Sequence, residues 1–212
     1  MRNWPLFDLR LTTPRLELRV PTLADLDALA DLAADGVHAP GLMPFVQPWS
    51  DAPPAERARS TVQFQWRGWA EWTPEDWRCD FVVVLNGEIV GTQGLSARDF
   101  ATVREVGTGS WVGLRHQGKG IGTEMRTAVL DLAFTGLGAT EATSSAFADN
   151  PASLAVSRKL GYTEDGLFRR SRRATRATEI RLRLTRETWH ATPHPTTEIT
   201  ALQPCFPLFG TP

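Results

Sequence analysis

The chain has 212 residues, the length of one domain with additions. Lys and Arg number 23 against 24 Asp and Glu, so the net charge of −1 gives no global pull toward nucleic acid or anionic membranes. A hydrophobic content of 42 % excludes disorder as a global description, and two distant cysteines, Cys79 and Cys205, exclude a disulfide framework. The cysteines match no zinc or redox spacing, so no metal site is expected. No apolar run nears the length of a bilayer span and none follows residues 1–5 as a signal would. The expectation is a cytoplasmic protein.

Residues 12–20 alternate apolar and polar side chains after Pro14, which predicts a strand. Thr22 with Asp25 three residues on is close to a capping box and opens a helix that Gly36 ends. Residues 37–52 carry three prolines and a glycine through an apolar loop that must pack against something. A second helix runs from Pro54 to about Trp72. Two strands, 79–85 and 88–95, meet across Asn86-Gly87, the strongest short hairpin signal. A strand over 109–114 enters a glycine-rich turn, followed by a helix over 120–134 and a strand over 139–147. Asn150-Pro151 starts another helix, which Gly161 ends. Residues 162–185 read as a long hairpin, and 190–212 as a Pro-rich tail. This order suits one mixed α/β sheet of about seven strands and disfavours a strictly alternating nucleotide fold. The division is a domain over 1–189 and an apolar extension over 190–212 that packs on the domain or on a second subunit.

The richest chemical signal is the turn from Gly113 to Thr123, where a strand meets a helix N-terminus through closely spaced glycines. Amides freed of side-chain bulk and a helix dipole make such a turn an anion site. Gly113 to Lys119 satisfies G-x-x-x-x-G-K, yet position 120 is Gly and lacks the hydroxyl a P-loop needs for magnesium. Gly118, Gly120 and Gly122 give G-x-G-x-G rather than the dinucleotide fingerprint. The third reading is Arg115-x-x-Gly118-x-Gly120, and 30 residues beyond Gly120 stands Asn150-x-x-Ser153-x-x-x-Ser157-Arg158-Lys159-Leu160-Gly161-Tyr162.

Taken together these segments resemble the GNAT superfamily of N-acetyltransferases over roughly residues 12–190. Residues 165–170 and 184–189 resemble its ribosomal-protein-acetylating branch. The 37–49 loop and the 205–210 tail are similar to those of a bacterial N-succinyltransferase-like member. The resemblance implies a splayed mixed sheet flanked by helices. It also implies direct transfer of an acyl group, acetyl or succinyl for instance, from coenzyme A to a primary amine without a metal. Val112, Leu114, Arg115, Gln117, Gly118, Lys119, Gly120, Ile121, Gly122 and Thr123 would hold the acyl donor, with Asn150 and Ser153 beside its arm. Asn150 would also act at the departing sulfur, although an ordinary helix N-cap explains it equally. Ser157 stands where a proton donor to the thiolate is expected, and its bland alternative is a hydroxyl bonded to the i−4 carbonyl of Ser153.

The general base is weakly marked. Glu105 at the start of the central strand is chosen over Asp99 and His38, with a water chain as the substitute for any of them. His116 is expected to face solvent beside the pyrophosphate. For the acceptor pocket the candidates are His38, Phe45, Trp49, Trp66 and Trp111, while at least half of Trp49, Trp66, Trp69, Trp72 and Trp77 should be core packing. Arg169, Arg170, Arg172, Arg173 and Arg176 belong to a stretch, 166–186, with eight arginines against Glu179 alone. A solvated hairpin is the default there; the functional options are contact with the coenzyme A phosphates, an anionic acceptor, or docking of an acidic partner such as an acyl carrier protein, whose phosphopantetheine offers the same thioester. A homodimer, and as a rival class a non-catalytic acyl-CoA-binding module, complete the expectations.

Overall fold

The computed structural model describes residues 1–211. The N-terminal segment forms a short hairpin, β1 (Arg10–Thr12) and β2 (Leu16–Arg19), and not the single strand expected over 12–20. Pro14 cannot donate to a ladder, and the Thr13 hydroxyl accepts the Leu16 N–H at 3.0 Å to close the turn. Helix α1 (Leu23–Asp35) opens on the expected capping box, with the Thr22 hydroxyl taking the Asp25 N–H and the Asp25 carboxylate taking the Thr22 N–H. Helix α2 (Pro54–Ala70) follows the 37–52 loop. Strands β3 (Asp76–Leu85) and β4 (Glu88–Arg98) then pair across Asn86 and Gly87, both at positive φ. That is the backbone an Asn-Gly hairpin turn requires.

A single helical turn, α3 (Phe100–Val103), leads to β5 (Glu105–Val112). The glycine turn feeds α4 (Ile121–Asp131), which loosens into a π-turn over Leu132–Gly136. Then come β6 (Glu141–Phe147), α5 (Pro151–Lys159), the hairpin β7 (Thr163–Arg172) and β8 (Thr175–Thr185), α6 (Arg186–Ala191) and β9 (Glu198–Thr200). The nine strands form one sheet in the order β7-β8-β6-β5-β4-β3-β2-β1-β9. Every neighbouring pair is antiparallel except β5 with β6. The two strands beyond the expected seven are the split of residues 12–20 and the tail strand β9.

β3 is apolar on both faces because the sheet is covered on both. Phe81 and Val83 join the main core with Met125 and Val129 of α4, while Val82 and Val84 pack with Leu29 and Leu32 of α1. Trp111 of β5 lies on the α1 side. Gly91 lets β4 approach it, since a Cβ there would lie 2.4 Å from the Trp111 carbonyl oxygen. No helix is long and apolar enough to cross a membrane among the described residues.

The tail folds onto its own domain. β9 pairs with β1 at the sheet edge, and Cys205 and Phe209 are fully buried. The Phe209 ring sits 4.9 Å from Trp77 and 5.6 Å from Trp72, whose indole N–H donates to the Leu208 carbonyl at 2.8 Å. Truncating Phe209→Ala should therefore cost about 3–5 kcal/mol. Calorimetry should show the Tm fall by roughly 10 °C.

The start of α1 carries a pH-sensitive lock. Burial pushes the Asp25 carboxyl up, but hydrogen bonds from Arg19 and Thr22 outweigh it and leave the pKa at about 2. Because the folded value lies below the ordinary 3.8, the stabilisation is present above that value and is lost as pH falls toward 2. Acid unfolding of Asp25→Asn should lack this component, with lower stability at neutral pH and a flatter profile between about pH 4 and 2.

Candidate active site

Three residue pairs hold β5 to β6: Glu105 with Glu141, Val106 with Ala142 and Gly107 with Thr143. Beyond them the strands share no ladder, and a wedge opens toward Val112 and Phe147. At its vertex hydroxyls replace the ladder, Thr108 donating to the Thr143 carbonyl at 3.3 Å and Thr143 to that of Val106 at 3.2 Å. Helices α4 and α5 close one side of the wedge.

The glycine turn stands at the wedge mouth. Gly118 and Gly120 have φ of +74° and +78°, a backbone that side chains resist. No protein acceptor takes the N–H of residues 118–122 among the described residues, so five consecutive amides at the start of α4 are left for a ligand, the first three on exposed residues. That is an anion-binding surface. Gln117 fixes the turn by donating to the carbonyls of Val37 at 2.8 Å and Val112 at 2.9 Å. Ile121 is buried in the core, Leu114 donates its N–H to the Gly36 carbonyl, and Thr123 accepts from the Thr127 hydroxyl through its carbonyl.

The cations of the turn differ from expectation. Arg115 spends its guanidinium on Asp35 and Glu88, each at 2.7 Å, and does not reach the amides. Lys119 folds its ammonium onto the Arg115 carbonyl at 3.0 Å. His116 is buried rather than solvent-facing, accepts from Arg115 Nε at 3.0 Å, and has its pKa lowered by burial. Arg15 takes the place at the loop instead. It pairs with Glu124 at 2.6 Å, donates to the Lys119 carbonyl, and lies 3.3 Å from where a Cβ on Gly120 would stand. Its position in the turn between β1 and β2 gave no sign of this in the sequence.

On the α5 side, Asn150 caps the helix by accepting the Ser153 N–H at 3.2 Å, which leaves its side-chain NH2 without a partner among the described residues. Ser157 is fully buried and donates to the Ser153 carbonyl at 3.2 Å. It also accepts from Arg126 of α4 at 2.9 Å. Arg126 was missed in the sequence because it sits inside an apolar helical run; its guanidinium also points toward the Ser110 hydroxyl at 3.4 Å.

Glu105 lies at the closed end of the sheet, bound by Arg183 at 2.8 Å in a group that also contains Glu141 and Asp165. The strand between it and Val112 spans roughly 23 Å at the usual rise. The structure does not bring it to the wedge mouth.

The opposite, α1-facing side of Trp111 carries an aromatic wall. Trp49 is 6.0 Å from Trp111, Phe45 is 5.0 Å from Trp49, and His38 is 6.1 Å from Phe45. His38 donates from Nδ1 to the Ala39 carbonyl at 3.0 Å and bonds the Ser50 hydroxyl through Nε2 at 2.8 Å. Trp66 is half exposed on α2 and takes no part in this wall, whereas Trp69, Trp72 and Trp77 pack in the core. The arginine-rich hairpin latches the loop that carries the wall. Arg173 pairs with Asp51, and Arg172 binds Asp149 at 2.6 Å and the Met43 carbonyl at 3.0 Å. Beside this latch is a cavity of about 240 Å³ lined by Gly41, Met43, Asp149, Arg172, Thr175 and Arg176.

Comparison with known proteins assigns the chain. The family profile of the acetyltransferase (GNAT) domain matches residues 15–163. The fold is similar to that of Mycobacterium smegmatis RimJ in complex with CoA-disulfide, with a TM-score of 0.71 at 21 % identity over 95 % of this chain and 94 % of that one. It is also similar to RimL, a ribosomal L7/L12 α-N-protein acetyltransferase in complex with coenzyme A, at a TM-score of 0.65 and 16 % identity over 82 % and 95 %. A spermidine N-acetyltransferase chimera of Vibrio cholerae SpeG and hSSAT matches at 0.65 and 17 % over 83 % and 98 %. The domain match spans well over half of the sequence, and the chain belongs to the GNAT acetyltransferase family.

Proposed function

We propose that this enzyme moves a small acyl group from coenzyme A to a primary amine held against the wall of His38, Phe45, Trp49 and Trp111. The observation that carries the reading is the run of five unpartnered amides, 118–122, at the mouth of an open β5–β6 wedge. Coenzyme A fits these features. Its phosphates match the amides, the α4 N-terminus and the side chain of Arg15. Its arm carries amides that match the free backbone edge of β5 beyond Gly107, the region of Val112, and the unpaired NH2 of Asn150. When bound, it supplies the thioester that the amine attacks.

The chain's own groups then position the reaction. The β5 backbone near Val112 polarises the thioester carbonyl, and the aromatic wall orients the amine. Glu105 is ion-paired at the far end of β5, so the attacking amine gives its proton to water entering beside the wall. Three of the five arginines of the hairpin patch are paired with Glu179, Asp149 and Asp51, which lowers the charge that suggested an acyl carrier protein. Cys205 and Phe209 of the tail are buried in their own domain, while Ile199, Leu202, Phe206 and Leu208 are partly exposed and available to a second subunit. Both cysteines are free and buried, in keeping with a reducing cytoplasm.

Native mass spectrometry against acetyl-, propionyl-, malonyl- and succinyl-coenzyme A tests the donor. A retained adduct supports the reading and its preference identifies the acyl group, acetyl or the larger succinyl; no adduct with any of them overturns it. Replacing Gly120→Ala forces a side chain into a φ of +78°, a strain of about 1–2 kcal/mol. Titration calorimetry should show coenzyme A binding weakened about tenfold. Gly122 is helical and its Cβ would make an ordinary 3.7 Å contact with Val156, so Gly122→Ala should weaken binding much less. Removing the ring in Trp49→Ala should raise the acceptor KM with little change in the donor KM, and Trp66→Ala should alter neither in steady-state kinetics.

A further inference from the structure

Arg126 is 5 % exposed, yet among the described residues no carboxylate oxygen lies within 4.0 Å of it. A buried guanidinium without a counter-ion is costly, and proteins almost always pair it. The groups facing it are hydroxyls only: Ser110 from β5, Ser157 from α5, and the buried phenol of Tyr162, itself held by Thr108 at 3.4 Å. Its Nε has no hydrogen-bond partner among the described residues. Three elements that otherwise diverge, β5, α4 and α5, thus converge on one uncompensated positive charge inside the wedge.

We infer that Arg126 is the charge partner of the sulfur leaving group. This rests on the coenzyme A reading above. The donor's phosphates are matched by the glycine turn, and beyond them its arm is neutral until the sulfur. In the reaction the amine lone pair forms the C–N bond and the C–S bond breaks, its electron pair going to sulfur as thiolate while the amine proton leaves to water. An alcohol is a far weaker acid than a thiol, and the Ser157 proton is already given to the Ser153 carbonyl. Ser157 therefore does not protonate the sulfur; it accepts from Arg126 and positions it. The cation holds the thiolate, which collects its proton from solvent on release.

The test separates this role from packing. In the intact enzyme, coenzyme A should bind more tightly than desulfo-coenzyme A as pH rises through the thiol range, by about tenfold, and Arg126→Met should abolish that difference. The Met variant should lose about 10²-fold in kcat with a donor KM near the parent's. Arg126→Lys should restore part of it. Thermal melts of Arg126→Met should not fall, because an uncompensated buried charge has been removed. Three results would overturn the inference: unchanged pH-dependent binding in Arg126→Met, a lower Tm with kcat intact, or loss confined to acyl groups bearing a carboxylate. If the parent protein binds no coenzyme A at any pH, the functional reading itself falls and takes this inference with it.

Discussion

The whole site depends on two parallel strands that pair for three residues and then part. Backbone groups on the inner edges of β5 and β6 lose their ladder, and an unpaired buried amide or carbonyl costs roughly 1–3 kcal/mol. The protein keeps the wedge open by giving some of those groups other partners. Thr108 and Thr143 bridge the vertex, and Gln117 donates to the Val112 carbonyl. Elsewhere the sheet is continuous, so the gap is a local departure held by side-chain amides and hydroxyls.

Charge is handled by the same logic of local compensation. Residues 166–186 carry a strong positive excess in the chain, but folding brings Asp51, Asp149, Glu105 and Glu141 against them from other segments, and Asp165 from the start of the same hairpin. The Arg173–Asp51 pair and the Arg172 bond to the Met43 carbonyl latch the 37–52 loop, and with it Phe45 and Trp49, onto the hairpin. They are partly exposed and individually weak. Their effect is geometric, setting where the aromatic wall stands relative to Trp111.

What was legible in the sequence followed local rules. The capping box at Thr22, the Asn86-Gly87 hairpin and the Gly118–Gly120 turn each depend on a few adjacent residues, and each formed. The aromatic wall was visible in part, because His38, Phe45 and Trp49 share one loop. Trp66 lies outside that wall, since helical spacing says which residues share a face but not which face is covered. Long-range pairing was invisible. Nothing near Glu105 announces Arg183, nothing near Arg115 announces Asp35 and Glu88, and Arg15 reaches the glycine turn only because β2 lies beside α4.

Arg126 joins these points. An apolar side chain there would fit α4, whose residues 125–131 are all buried, and would remove the desolvation of a lone charge. The fold instead surrounds the guanidinium with hydroxyls, which orient it without neutralising it. In a low-dielectric wedge an uncompensated cation acts on a developing anion far more strongly than it would in water. The same burial that destabilises the resting protein therefore strengthens the interaction when negative charge arrives. The polar floor of the wedge makes physical sense once its missing counter-charge is one that the reaction generates.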